Sequence, residues 1–252
     1  MSQSKAGTIV ISRDGRGIPG DHAGFEDALA DSLRRKSGFV VLVVPHLYHL
    51  RPAHPATVAL LNAAGDLAVA SWLHPRAAFW TLRALGVGGV MDSAEKASPE
   101  RTIRCLNLSD FASVADCVRA LAPETASGGA APLKEIADAA SPRWFPVIDY
   151  SRCTTCRKCV DFCLFGVYAL SDGAVVVGNP DNCKNGCPAC ARTCPQRAII
   201  FPHYFAEAAI AGAETPPVFE PWRPEPPGDA RGENAPPSDL DHLITALEKL
   251  DE

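Results

Sequence analysis

Runs of apolar residues divide the first half of the chain into alternating strands and helices. Thr8–Ser12 is a short β-branched run, and Phe39–Val44 is a continuous apolar run of the kind that is buried on both faces of a parallel sheet. Further strands are predicted at Asp66–Ser71, Val87–Met91 and Ile103–Leu108. The order of these runs predicts five strands.

Segments with helical spacing lie between the strands. The predicted helices are one through Phe25, Leu29 and Leu33, one at Val58–Ala64, one from Pro75 to Gly86, and one through Phe111 and Leu121 with Ser109 as its cap. Strands that alternate with helices favour a five-stranded, mostly parallel, three-layer α/β domain, here over residues 5–122.

The second half of the chain divides into four further segments. Residues 123–142 are rich in proline, glycine and small residues and predict a linker with a short helical segment at Leu133–Ala140. Residues 143–203 predict a small α+β domain of two antiparallel strand pairs, with Asp172-Gly173 as a hairpin turn. Residues 204–238 are proline-rich and acidic, which predicts disorder, and 239–252 predict an amphipathic helix.

Composition limits the possible environments of the chain. It has 252 residues, 47% of them hydrophobic, and its net charge of −5 is the sum of −8 in residues 204–252 and +3 in the rest of the chain. We find no basic stripe for nucleic acid, no apolar run long enough to span a membrane and no signal peptide. We therefore expect a cytoplasmic protein with reduced thiols.

Eight of the ten cysteines fall into two runs that repeat each other. The offset between corresponding cysteines is 30 or 31 residues, which indicates an internal duplication. The runs are Cys153, Cys156, Cys159, Cys163 and Cys183, Cys187, Cys190, Cys194. The other two cysteines, Cys105 and Cys117, are expected to be buried core thiols.

The cysteine spacing favours iron–sulfur clusters over zinc. Cysteines at i, i+3 and i+6 on one loop can bring three thiolates to one face of a cluster, and the fourth ligand comes from elsewhere in the chain. Structural zinc sites pair two separated Cys-x2-Cys units and do not need a third cysteine at i+6. Zinc stays the main alternative, and a disulfide framework is disfavoured.

Val147–Pro202 resembles the bacterial ferredoxins with two [4Fe–4S] clusters. Their signature is C-x2-C-x2-C-x3-C followed by proline, and Pro195 stands at that proline's position. The sequence departs from the pattern at Leu164, which replaces the first proline, and at the longer Cys183–Cys187 spacing, where Asn185-Gly186 can absorb the extra residue. The resemblance implies two [4Fe–4S] clusters, one held by Cys153, Cys156, Cys159 and Cys194, the other by Cys183, Cys187, Cys190 and Cys163.

Four histidines form a second candidate site. His46, His49 and His54 follow the second predicted strand and His74 follows the third, where open α/β sheets bind ligands. They could bind a metal ion or a tetrapyrrole, and in this respect the domain resembles the small chelatases of tetrapyrrole synthesis. Hydrogen-bonded surface histidines are the simpler interpretation.

The sequence as a whole predicts an electron carrier that exchanges single electrons with redox partner proteins. No Ser-His-Asp set, carboxylate pair or convincing phosphate loop indicates a bond-changing active site. Two alternatives stay open: an oxidoreductase whose amino-terminal domain binds a flavin, tetrapyrrole or metal, and a cluster-bearing sensor or assembly factor.

Overall fold

A parallel sheet forms the centre of the amino-terminal part. The computed structural model describes residues 7–15, 21–92, 100–122, 130–137 and 139–214. Within these residues the sheet has six strands in the order β4-β5-β3-β1-β2-β6, and every neighbouring pair is parallel. The strands are β1 (Gly7–Ser12), β2 (Phe39–Val44), β3 (Leu67–Ser71), β4 (Val90–Met91), β5 (Thr102–Asn107) and β6 (Leu133–Glu135).

Helices cover both faces of this sheet. On one face lie α1 (His22–Arg34) and α4 (Val114–Leu121), whose Leu29, Leu33 and Val118 pack in one apolar cluster with Ile9 and Val41. On the other face lie α2 (Pro55–Leu61) and α3 (Pro75–Ala84), which pack in a second cluster. The predicted α/β class with a mostly parallel sheet is confirmed.

The sixth strand corrects the prediction of a five-stranded sheet. Leu133–Glu135 was expected to begin a short helix at Leu133–Ala140, but it pairs with β2 in parallel, with Val41 opposite Leu133. This pairing gives partners to backbone N–H and C=O groups that would otherwise lack them at the open edge of β2. These hydrogen bonds outweigh the weak helical preference of three residues. An ion pair between Arg13 and Glu135 at 2.8 Å lies beside it.

The predicted cap of the fourth helix was also wrong. Ser109 lies in a separate 3-10 turn, Leu108–Asp110, which Asn107 caps. The helix α4 starts later, and the side chain of Ser113 accepts a hydrogen bond from the Asp116 N–H at 3.2 Å. Two serines precede the apolar stripe, and only the local turn geometry distinguishes them.

The cysteine region, which we define as residues 143–203, contains two antiparallel strand pairs, as predicted. β7 (Val147–Ile148) pairs with β10 (Ile199–Ile200), and β8 (Tyr168–Ser171) pairs with β9 (Ala174–Val177). Asp172 and Gly173 both have positive φ, at 49° and 79°, which fits the expected two-residue hairpin turn. Two short helices complete the region, α5 (Lys158–Phe162) and α6 (Ala189–Thr193).

A buried ion pair joins the cysteine region to helix α3. Arg76 Nε lies 2.5 Å from Asp149 Oδ2, and both side chains are 2% exposed. The same guanidinium donates a hydrogen bond to the Arg197 carbonyl at 2.6 Å. Arg76 therefore fixes the ends of both strands that flank the region, because Asp149 follows β7 and Arg197 precedes β10.

Several predicted segments fall wholly or partly outside the described residues. They include residues 123–129 and 138 of the linker and residues 215–252, which contain the predicted carboxyl-terminal helix 239–252. The first part of the segment 204–238, predicted to be disordered, instead contains α7 (Ala208–Ala211), where Ile210 is buried. The division into domains at the linker stays a prediction.

Candidate metal centres

The local backbone places the first run of cysteines around a tight loop. Cys153 and Cys156 lie in the loop before α5, and Thr155 and Arg157 are in the left-handed region, with φ of 55° and 63°. Cys159 lies within α5, where it is buried. These reversals curl the chain, so that the three thiols face one small cavity.

The second run follows the same plan after a 3-10 turn at Pro180–Asn182. The longer spacing between Cys183 and Cys187 is absorbed at Gly186, whose φ is 74°, as the sequence predicted. Cys190 is buried in α6. The last cysteine of each run, Cys163 or Cys194, directly follows the last residue of α5 or α6.

The structure brings the eight cysteines together in two groups that cross the repeat. The first group lines one cavity and consists of Cys153, Cys156, Cys159 and Cys194. The second group lines another and consists of Cys163, Cys183, Cys187 and Cys190. Each group thus contains three cysteines of one run and the last cysteine of the other.

Burial and neighbouring thiols raise the pKa of three of these cysteines, Cys159, Cys183 and Cys190. Burial is the main cause that raises the pKa of Cys190 to about 11 and that of Cys183 to about 12, and neighbouring thiols of the same group raise them further. In the first group, burial and then Cys194 raise the pKa of Cys159 to about 11. A cationic centre would offset this repulsion, because thiolate is the form that binds metal, so the donor set fits a metal or iron–sulfur site.

Two hydrogen bonds to sulfur distinguish the groups. The Tyr168 hydroxyl donates to Cys190 Sγ at 3.1 Å in the second group. In the first group the backbone N–H of Ala198 donates to Cys194 Sγ at 3.4 Å. Burial and the nearby thiols raise the pKa of Tyr168 far above its ordinary value, so the phenol stays protonated and remains a donor.

Comparison with known proteins bears on this arrangement. Over 60 residues the chain is 50% identical to an uncharacterized ferredoxin of Methanocaldococcus jannaschii. The chain contains a ferredoxin-like segment. The match covers 23% of this chain and 41% of the relative, so the chain spans well under half the length of that protein. No family model matches the chain, and the resemblance of the amino-terminal part to the chelatases finds no support.

An apolar surface lies beside the second group of cysteines. Phe162, Leu164 and Phe165 are exposed, and Leu164, which follows Cys163 directly, is 94% exposed. All three line the same cavity as the second cysteine group. Exposed apolar side chains that cluster in this way are typical of contact surfaces.

The predicted histidine set is only partly brought together. His46 and His49 lie close together, but the third member of their group is His203, which follows β10 and was not predicted. His54 and His74 instead precede α2 and α3, where the His54 ring accepts a hydrogen bond from the Ala56 N–H at 3.1 Å.

The remaining sequence predictions concern the other cysteines and the environment. Cys105 and Cys117 are buried, as expected, and burial raises their pKa values to about 12 and about 11. Among the described residues, no helix combines the length and the apolar character needed to cross a bilayer. The cytoplasmic location stays a prediction.

Proposed function

We propose that the chain is an electron-transfer protein that binds two [4Fe–4S] clusters, one in each group of cysteines. The supporting observation is the crossed grouping, in which Cys194 joins the first run and Cys163 joins the second. Ligand exchange between repeats is the arrangement used by ferredoxins with two clusters. The match to an uncharacterized ferredoxin supports the same class of cofactor.

A bound cluster of this kind accepts one electron without making or breaking bonds to a substrate. The residues around it set the potential. Tyr168 and the Ala198 N–H donate hydrogen bonds to sulfur, and donors of this kind favour the more negative, reduced state. The exposed apolar surface beside the second group suits contact with a redox partner protein, because electrons could pass over a short distance there.

Analysis of iron and acid-labile sulfide in anaerobically purified protein tests this proposal. Two clusters require about eight of each per chain. Replacing Cys194 by Ser should reduce the iron held by the first run, whereas replacing Cys105 by Ser, outside both groups, should leave the iron content unchanged. Recovery of zinc without sulfide would contradict the proposal.

The visible spectrum and a redox titration distinguish an electron carrier from the two alternatives, an oxidoreductase and a sensor or assembly factor. A broad absorption shoulder alone supports the carrier, whereas flavin or porphyrin bands would support an oxidoreductase with a second cofactor. Reversible reduction by a low-potential donor, followed by transfer to an acceptor protein, distinguishes a carrier from a sensor or an assembly factor. Clusters that cannot be cycled would count against electron transfer.

A further inference from the structure

Three histidine side chains from distant parts of the chain meet outside both cysteine groups. His46 caps the 3-10 turn after β2 and His49 is its last residue, and both residues are almost fully buried. His203 is half-buried and comes from the other side, one residue beyond Pro202. Their ring centroids lie 4.6 to 5.0 Å apart, and one ligand nitrogen of each lies within 4.8 Å of the others.

The spacing of the nitrogens matches a metal site. The Nε2 atoms of His46 and His203 are 3.2 Å apart. A tetrahedral zinc ion with Zn–N bonds of about 2.0–2.1 Å holds its nitrogen ligands roughly 3.4 Å apart. The His46–His203 pair is already near this separation, and a nitrogen of His49 lies within 4.8 Å of both, so His49 must move closer to complete a three-nitrogen face.

We propose that His46, His49 and His203 bind a divalent transition-metal ion of the zinc class. Imidazole nitrogens suit zinc and its neighbours in the first transition row, whereas carboxylate sites suit magnesium and calcium. Three histidines leave a fourth coordination position for water or a small ligand. No ligand is shared with the cysteine groups, so the proposal does not rest on the proposed electron-transfer function.

Aromatic neighbours hold the three rings in place. The Tyr48 ring stands edge-on to His203 at 4.9 Å and stacks on Phe145 at 4.6 Å. The Tyr48 hydroxyl accepts a hydrogen bond from the Phe145 N–H at 2.7 Å and donates one to the carbonyl of the same residue. A ring fixed in this way limits the movement of His203, which favours a preformed site.

Metal binding requires one proton to move. In the metal-free state His46 Nδ1 accepts a hydrogen bond from the Tyr48 N–H at 3.3 Å, which places the His46 proton on Nε2, facing His203. A metal ion bound at Nε2 would require the ring proton on Nδ1, and the Tyr48 N–H would then lose its acceptor. That bond is long and weak, and metal–nitrogen bonds outweigh it.

Zinc titration of the full-length, cluster-loaded chain tests the proposal. After removal of loosely held metal with a chelator, calorimetry should show saturable binding of one Zn²⁺ per chain. X-ray absorption at the zinc edge should show nitrogen ligands at about 2.0–2.1 Å and no sulfur at about 2.3 Å. The zinc edge is separate from the iron edge, so cluster iron does not interfere.

Variants identify the ligands. Loss of a residue that only hydrogen-bonds a metal ligand typically weakens metal affinity by about 10- to 100-fold. His203→Ala removes a ligand itself, so it should weaken zinc binding by more than this. His74→Ala is the matched control and should leave zinc affinity unchanged. Iron and sulfide content reports folding of each variant, and His203→Gln provides a second, less disruptive change at this half-buried position.

Three results would overturn the metal site: no saturable zinc binding, equal affinities in the His203 and His74 variants, or sulfur in the zinc shell. In the first two cases the histidines form only a hydrogen-bonded cluster, and in the third the cysteines bind zinc. Low iron content combined with histidine-bound zinc would instead refute the proposed clusters and leave the histidine site intact.

Discussion

Replacing Tyr168 by Phe should lower the reduction potential of one cluster and leave the other unchanged. The hydroxyl donates to Cys190 Sγ at 3.1 Å, and the residue at the equivalent position of the other repeat, 31 residues later, is Ile199, which cannot donate. Reduction adds negative charge that the sulfurs share, so the hydrogen bond is stronger in the reduced state. Loss of the bond therefore disfavours reduction.

The magnitude follows from the energy of such a bond. A hydrogen bond to a charged group contributes about 1.5–3 kcal/mol. If a third to a half of that energy depends on the added electron, the difference between redox states is about 0.5–1.5 kcal/mol. For a one-electron couple about 1.4 kcal/mol corresponds to 59 mV, so we expect a fall of roughly 20–60 mV.

Protein-film voltammetry on the wild-type and variant proteins measures this shift directly. Tyr204→Phe is the matched control, because the Tyr204 hydroxyl accepts a hydrogen bond from Arg192 at 2.6 Å. One of two potentials should fall in Tyr168→Phe, and neither should change in Tyr204→Phe. An equal shift of both potentials, or a rise, would refute the assignment of the hydrogen bond to one cluster.

Three further predictions concern stability and assembly. Arg76→Ala should reduce the free energy of unfolding by about 3 kcal/mol in urea titrations, because the Asp149 carboxylate stays buried without its main partner; an unchanged midpoint would contradict this. Ser113→Ala should cost about 1 kcal/mol through loss of the α4 cap, and Ser109→Ala clearly less; equal costs would restore Ser109 as a cap. Iron retention against a chelator should be poorer near about pH 6 than near about pH 8. Binding must displace protons from thiols such as Cys190, whose pKa is about 11, and this is harder at low pH. Iron retention that does not depend on pH would argue against thiolate ligands.

The cysteine pattern was informative because local spacing determines much of that site. The spacing within each run predicts three thiols on one tight loop, whereas the fourth ligand from the other run was implied only by the resemblance to the ferredoxins. The continuous apolar strands were equally clear, and β2 matches its predicted bounds residue for residue. Features of this kind depend on neighbours in sequence.

His203 and β6 could not be found in this way, because both depend on distant partners. His203 is 157 positions from His46, and it follows β10, which pairs with the distant β7. β6 is three residues long and largely exposed, and it is a strand only because β2 offers an open edge. The aromatic residues Tyr204 and Phe205 follow His203 directly and mark this part of the sequence, but no spacing rule links His203 to His46.

The pairing of β7 with β10 makes the cysteine region suitable for transfer into another protein. Because Val147–Ile148 lies antiparallel to Ile199–Ile200, the polypeptide arrives at and departs from the cysteine region at adjacent points. A fragment cut at these two strands would have neighbouring ends, which is the geometry that tolerates transplantation into another host or closure by a short linker. The region is therefore a natural unit for exchange between proteins, provided that the new host supplies a substitute for the buried Arg76 guanidinium.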